Sequence, residues 1–405
     1  MANKNIKLFI SILSKMLPLK KEVVFISFGG HYSDSPKAVS VELHREFPKI
    51  KQVWLTEKDR VKELPSYVDS IDINSYNAAY HLAVGAVIVS NAYGRCGLIL
   101  SADDNTAKAV SKMKLSVWIH SRKEQLNFST WHGTPLKRMG IDQVNSKDVD
   151  FITSPLVMTH PNQYTLDIMN RITFHKARHV LLGMPRNDLL FHSEKREFIK
   201  KKLHLPVDAN IVLYAPTFRS DSSGTESRNV AKSGLDQLNE IDFAKLFDSL
   251  NNTFHSNNWV FIGRFHYFVE KAIPWDKLEK QYPGKIVTGN KHDDMADYLL
   301  CADVLITDAS SSMFDFSLTG KPCFLFFPDV DNYQNNERGF YVDIYKFPFS
   351  CARTFNDLLQ DISSFDEQQY KKKVTDFNEK IGVVDDGHAS EKVVNYIVSH
   401  STLSK

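Results

Sequence analysis

Cysteine is scarce in this chain: Cys96, Cys301, Cys323 and Cys351 are the only four in 405 residues, and none forms a CxxC pair. That excludes the usual zinc and disulfide frameworks and points to reduced, structural thiols and the cytoplasm. No GxxxxGK[ST] loop is present, which excludes a P-loop nucleotidase, and no GxGxxG follows the first predicted strand; Gly29-Gly30 alone stands for neither. An excess of one charge is also missing. The formal net charge is +2 with no basic stripe, so nucleic acid is not an expected partner. What imbalance exists sits at the start: residues 1–21 carry Lys4, Lys7, Lys15, Lys20 and Lys21 and no acid, leaving −3 for the rest. The same segment, IKLFISILSKMLPLKK, is apolar but broken by lysines, and no small-residue cleavage site follows. It is neither a signal peptide nor a spanning helix. It reads either as an interfacial helix on an anionic membrane surface or as a first helix packed on the body. No internal repeat or heptad pattern stands out.

What is present is globular: 42% hydrophobic and 24% charged residues, in a chain long enough for two domains. From Glu22 onward, short apolar runs alternate with helical patterns, the mark of a parallel sheet covered by helices. Residues 23–28, 52–55, 86–90, 127–131 and 151–153 are the expected strands of a first unit. Residues 179–182, 211–215, 259–263, 285–288, 304–307 and 323–327 are those of a second, with helices such as 193–203 and 293–301 between them. The expected organisation is a basic amphipathic segment over 1–21, Rossmann-like domains over 22–178 and 179–365, and C-terminal helices over 366–405. These last either cap the second domain or cross back to the first. Stretches 220–237 and 329–338 read as loops near strand ends.

Candidate chemistry lies where strands end, because doubly wound sheets bind ligands beyond the carboxyl ends of their strands. Residues 303–327 run from an apolar strand through Ser310, Ser311 and Ser312 into a helix, an arrangement that suits either a phosphate or ordinary N-capping. Thr217 and Arg219 follow another strand, and Arg264 and His266 a third. Asp308 precedes the serines, His132 lies in HGTP, and Arg186 and Asn187 lie in PRND. Convergence of these groups on one cleft would suit a substrate with two phosphates, held by arginine forks, with histidine available for proton transfer. Each also has a plain structural reading: Arg186 as closing an inter-domain salt bridge, and His266 as a satisfied buried imidazole. Asp329 and Asp331 form a DxD-like pair of a kind common in loops, and no metal or cofactor is expected.

Six strings occur in order: TWHGTPLKRMG (130–140), LLGMPRNDLLF (181–191), VLYAPTFRSD (212–221), ITDASSSMFDFSLTGKPCFLFFPD (306–329), ERGFYVD (337–343) and DDGHAS (385–390). GGHYSDSPKAV (29–39) fits as well. Together they resemble the CDP-glycerol glycerophosphotransferase family of teichoic-acid and related polymer synthesis. The resemblance implies an α/β, GT-B-like pair of doubly wound Rossmann-like domains facing a cleft, acceptor-side over 22–178 and CDP-donor-binding over 179–365. It implies transfer of a polyol-phosphate from CDP-glycerol or another CDP-polyol to a hydroxyl of a lipid-linked saccharide or polyol-phosphate acceptor, with CMP leaving. The implied place is peripheral, on the cytoplasmic face of the cell membrane. By motif match His132 is the base, and His266 contacts the pyrophosphate or the developing charge, the reverse assignment being open. Asp308, Ser310, Ser311 and Ser312 meet the donor phosphates and ribose, with Arg186, Asn187, Thr217, Arg219, Arg264 and Arg338 completing an anionic cradle. Two departures stand out: GRFHYF lacks the proline relatives usually place after that histidine, and Ala309 stands where an aromatic residue is common. A single displacement needs positioning and charge compensation rather than a covalent nucleophile. The competing readings are a GT-B nucleotide-sugar hexosyltransferase and a catalytically silent membrane-associated scaffold.

Overall fold

The computed structural model describes residues 16–57, 64–73, 75–91, 124–142, 156–172, 177–217, 235–265, 267–291, 294–333 and 339–404. The chain forms two compact units, one comprising Met1–Thr134, Ser146–Asp188 and Gly382–Lys405, the other Pro135–Asn145 and Leu189–Ile381.

The first unit is built on seven parallel strands: β1 (Lys20–Ile26), β2 (Lys51–Thr56), β3 (Val68–Asp72), β4 (Gly85–Ser90), β5 (Leu126–Ser129), β6 (Leu156–Thr159) and β7 (Arg178–Val180). Their order is β3-β2-β1-β4-β5-β6-β7. Val23, Val24, Phe25 and Ile26 are all fully buried, as expected of a strand covered on both faces. Alternate residues serve opposite faces. Val23 and Phe25 pack with Trp54 and with Val393 and Ile397 of helix Ala389–Ser399. Val24 and Ile26 pack with Leu55 and with Leu82 of helix Tyr76–Val84.

The second unit repeats the plan with β8 (Asn210–Ala215), β9 (Trp259–Gly263), β10 (Ile286–Thr288), β11 (Val304–Thr307), β12 (Cys323–Phe326) and β13 (Ser350–Ala352). The order is β10-β9-β8-β11-β12-β13, again all parallel. Ile211 and Leu213 feed one core, Val212 and Tyr214 the other. In each sheet the strand order reverses once, between β1 and β4 and between β8 and β11, and these switch points are where ligands bind in such folds.

Two expectations need correction. The strand expected over 179–182 at the head of the second series is β7, which pairs with β6 through Met158 and His179 and so belongs to the first sheet. Arg186 and Asn187, expected on the donor side, therefore belong to the first unit. The C-terminal helices are not one appendage: Glu367–Lys380 belongs to the second unit and Ala389–Ser399 to the first. The strand expected over 151–153 and most of the basic N-terminal segment lie outside the described residues.

Candidate active site

At the switch point of the first unit, the chain leaves β1 through Ser33 into helix Asp34–Glu46, and Asp34 sits there at φ 61. Asp tolerates this left-handed conformation better than most residues, because its short side chain bonds locally. Here Asp34 Oδ1 accepts from Ser35 N at 2.7 Å and from Arg186 Nη1 at 3.1 Å, and Oδ2 accepts from Asn91 Nδ2 at 2.9 Å. Asn91 follows β4, so the Asp34–Asn91 bond spans the two strands that diverge at the switch. Arg186 N also donates to Ser35 Oγ at 3.3 Å, which fixes the arginine's main chain against the same helix start.

His132 arrives from β5. Thr130 ties the strand exit to β4, its N–H donating to Ser90 O at 2.8 Å, and Trp131 at φ 54 with Gly133 at φ 147 turns the chain sharply around the histidine. The imidazole packs against the rings of Trp131 and Phe28, with centroids 4.0 and 5.2 Å away. His132 Nδ1 lies 2.9 Å from the main-chain oxygen of Asn91. A carbonyl only accepts, so Nδ1 carries the proton and Nε2 holds the lone pair. Burial pushes the imidazole below its ordinary pKa; the Asn91 carbonyl and the Asp34 carboxylate oppose that, and the Arg186 cation adds to it. Burial also raises Asp34, but Arg186, Asn91 and Ser35 outweigh it and hold the carboxylate below its usual range. The result is a neutral imidazole with a defined tautomer beside an ionised, fully engaged carboxylate.

The loop carrying Arg186 is clasped by the last segment of the chain. Asp385 accepts from Met184 N at 2.6 Å and from Asn187 Nδ2 at 2.9 Å, and Asp188 accepts from Ala389 N and Ser390 N at 2.8 and 2.7 Å. These bonds account for two of the sequence motifs, PRND and DDGHAS, as halves of one structural clasp. Asn187 is accordingly buried. Arg186, read from sequence as a possible inter-domain bridge, instead pairs with Asp34 in its own unit.

The second unit has a matching feature at its own switch point. Asp308, fully buried after β11, accepts from Thr217 N after β8 at 2.8 Å. Ser310 and Ser312 hydroxyls lie 2.8 Å apart, with Ser311 preceding the six-residue helix Ser312–Ser317. Arg264 follows β9, donates from Nη1 to Gly289 O at 2.6 Å, and lies 5.0 Å above the Tyr298 ring. Arg219, His266 and Arg338 lie outside the described residues. Among the described residues no group of three or more His, Cys, Asp or Glu side chains is disposed to hold a metal ion.

Sequence reasoning missed Asp34 and Asn91. Asp34 entered only as part of the string GGHYSDSPKAV, and Asn91 was not singled out. The available signal was position: both follow the central strands of the first sheet, where the order reverses.

A family model described as CDP-glycerol:poly(glycerophosphate) glycerophosphotransferase matches residues 8–399. This chain belongs to that family. It is 27% identical over 404 residues to the teichoic acid poly(glycerol phosphate) polymerase of Staphylococcus epidermidis, an alignment covering 93% of this chain and 50% of the relative. It is 28% identical over 418 residues to the polymerase of the same name from Bacillus subtilis, covering 97% and 51%. The chain thus spans about half the length of these relatives. With the teichoic acid glycerol-phosphate transferase of Staphylococcus aureus it shares 28% identity over 410 residues and 95% of both chains. A solved structure of the wall teichoic acid polymerase TagF superposes with a TM-score of 0.74 at 25% identity, covering 97% of this chain and 93% of that one. The family fold is therefore the GT-B-like α/β class, and both parallel sheets conform to it.

Proposed function

We propose that this chain transfers a polyol-phosphate, most simply glycerol-phosphate, from a CDP-activated donor to a hydroxyl of a lipid-linked acceptor or growing teichoic-acid-like polymer, releasing CMP. Family membership supports the reaction class, and the relative matched over 95% of its length is named as a glycerol-phosphate transferase. The observation that carries the reading is the 2.9 Å bond from His132 Nδ1 to the Asn91 carbonyl. It leaves Nε2 with its lone pair, and the lowered pKa keeps that lone pair available at neutral pH, as a general base requires.

In the reaction, His132 Nε2 takes the proton of the acceptor hydroxyl while its oxygen attacks the polyol-bearing phosphorus of the donor. The bond from that phosphorus to the bridging oxygen breaks, and CMP leaves with the electron pair. One in-line displacement inverts configuration at phosphorus. Developing charge on the phosphoryl oxygens calls for fixed donors. In this reading those are Ser310, Ser311 and Ser312, the Thr217 loop steadied by Asp308, and Arg264, together with Arg219, His266 and Arg338. The reading extends to a peripheral place on the cytoplasmic face of the membrane, the lysines of residues 1–21 favouring anionic lipid. Among the described residues no helix is long and apolar enough to cross a membrane.

The test is CMP release by the purified protein with CDP-glycerol, CDP-ribitol or a UDP-hexose, each with and without a lipid-linked disaccharide, primed or unprimed. Acceptor-dependent CMP from a CDP-polyol is the expected result. UDP release from the hexose donor, with no CMP from either polyol donor, would replace this reading with a hexosyltransferase.

A further inference from the structure

The bond holding His132 comes from a main-chain atom, and a main-chain atom is only as well placed as its residue. Asn91 ends β4, and beyond it the strand no longer fixes the chain. Its side chain does: Nδ2 donates to Asp34 Oδ2 at 2.9 Å. Asp34 is in turn held by Ser35 N at 2.7 Å and Arg186 Nη1 at 3.1 Å, and it occupies a left-handed φ that a non-glycine residue keeps only where its surroundings over-determine it. Arg186 is locked from below, because the neighbouring Met184 N and Asn187 Nδ2 both bind Asp385. A continuous chain of short contacts therefore runs from the clasped 184–187 loop through Arg186, Asp34 and Asn91 to the imidazole.

We propose that Asp34 is a positioning residue for the transfer reaction: through the Asn91 side chain it fixes the Asn91 carbonyl, and so the orientation and tautomer of His132. The inference rests on His132 acting as the base. In this role Asp34 acts through Asn91, whose Nδ2 it accepts from. Its carboxylate has two functions. It anchors Asn91, and it balances the Arg186 guanidinium, so that the imidazole does not face an uncompensated cation.

The experiment compares Asp34→Ala, Asp34→Asn, Asn91→Ala, His132→Ala and the double variant Asp34→Ala/His132→Ala. The assay follows CMP release from CDP-glycerol with a lipid-linked disaccharide, with a thermal melt of each protein. Asp34→Ala and Asn91→Ala are expected to lower kcat about 10- to 100-fold, the effect of a misplaced catalytic group, while KM for CDP-glycerol changes less than about threefold. In the His132→Ala background the Asp34 change is expected to add less than about twofold, because residues that act as a unit are not additive. Asp34→Asn keeps an acceptor for Asn91 and tolerates the left-handed φ, so it is expected to retain more activity than Asp34→Ala. Among the described residues the charged groups acting on His132 are Asp34 and Arg186, so removing the carboxylate leaves the cation alone and moves the acid limb of the kcat/KM profile of Asp34→Asn to lower pH.

Should Asp34→Ala keep near-wild-type turnover while His132→Ala loses it, the positioning role is overturned and the base assignment survives. Additive losses in the double variant, or an acid limb of Asp34→Asn that does not move, would also overturn it, leaving Asp34 a structural residue. Near-wild-type turnover in His132→Ala would remove the base assignment and this inference with it. If Asp34→Ala fails to fold, the Asp34→Asn pH profile decides alone.

Discussion

Replacing Gly183 with alanine should loosen the clasp that holds the Arg186 loop. Gly183 has φ +91, and a Cβ built on it would lie 2.6 Å from Asp385 Oδ1 and 2.7 Å from Ala389 Cβ. The aspartate cannot swing clear cheaply, because its carboxylate is bound to Met184 N and Asn187 Nδ2. Holding an alanine in the left-handed region costs about 1–2 kcal/mol. Forcing extra atoms into a filled site costs about 1–3 kcal/mol more. The sum, about 3.5 kcal/mol in the middle of its range, corresponds to a fall of roughly 300- to 400-fold in protection against local opening. Hydrogen–deuterium exchange of peptides covering 178–192 and 383–395 reads this directly in the first unit. Gly284→Ala is the control: its φ is +69, but nothing lies within 4 Å of the added carbon, so only the backbone penalty of about 1–2 kcal/mol applies. Equal changes at the two glycines, each followed in its own peptides, would refute the argument from close contact. Loss of protection at 178–192 should be accompanied by loss of turnover, since Arg186 and Asp34 are held through this loop.

His132→Ala should lower kcat by about 100-fold or more, the usual range for removing a general base, and a variant with near-wild-type kcat would end that assignment. Acid should destabilise the first unit through His160, which burial, with a smaller push from His179, lowers from 6.5 to about 3. Between those values the unfolded chain binds a proton that the folded chain refuses. Stability is therefore full above about pH 6.5 and falls by about 1.4 kcal/mol per unit as pH drops toward 3. Chemical unfolding followed between pH 7 and 5 should show this slope, and His160→Gln should flatten it; an unchanged slope would assign it to other groups. Deleting residues 1–15, which stops short of β1, should weaken sedimentation with anionic vesicles while leaving activity on a water-soluble acceptor intact. Unchanged sedimentation would rule out an anchor there.

Much of the fold was legible because a strand buried on both faces must be almost wholly apolar. VVFI in β1, VIVS in β4, IVLYA in β8 and CFLF in β12 carry that pattern plainly. β6, LVMT, carries it too but was placed a few residues early, at 151–153; the two other strands that escaped notice lack it. β3 reads VDSID at one edge of its sheet, and β13 has only Ser350, Cys351 and Ala352 at the edge of the other. An edge strand pairs on one side only and need not be apolar throughout. β7 was seen but placed in the wrong unit: a three-residue strand, RHV, carries nothing to say which sheet it joins. His132 was found through its motif. Asp34 and Asn91 were not, because their importance lies in a hydrogen bond between residues 57 positions apart. Asp385 and Asn187 are nearly 200 residues apart, so no local pattern relates them.

The return of helix Ala389–Ser399 to the first unit makes the order of synthesis different from the order of assembly. Val393 and Ile397 cover the same face of the sheet as Val23 and Phe25, strand residues translated long before them. At common translation speeds, the roughly 200 residues separating Asp188 from this helix take on the order of 10–40 s to emerge, and the early sheet spends that interval with one apolar face incomplete. The second unit, continuous from Leu189 to Ile381 apart from a short upstream segment, has nothing later to wait for. The later-made unit is thus free to finish first. A nascent chain stalled after residue 381 and before residue 389 would leave a folded second unit tethered to an unsealed first one, a natural target for chaperones and proteases.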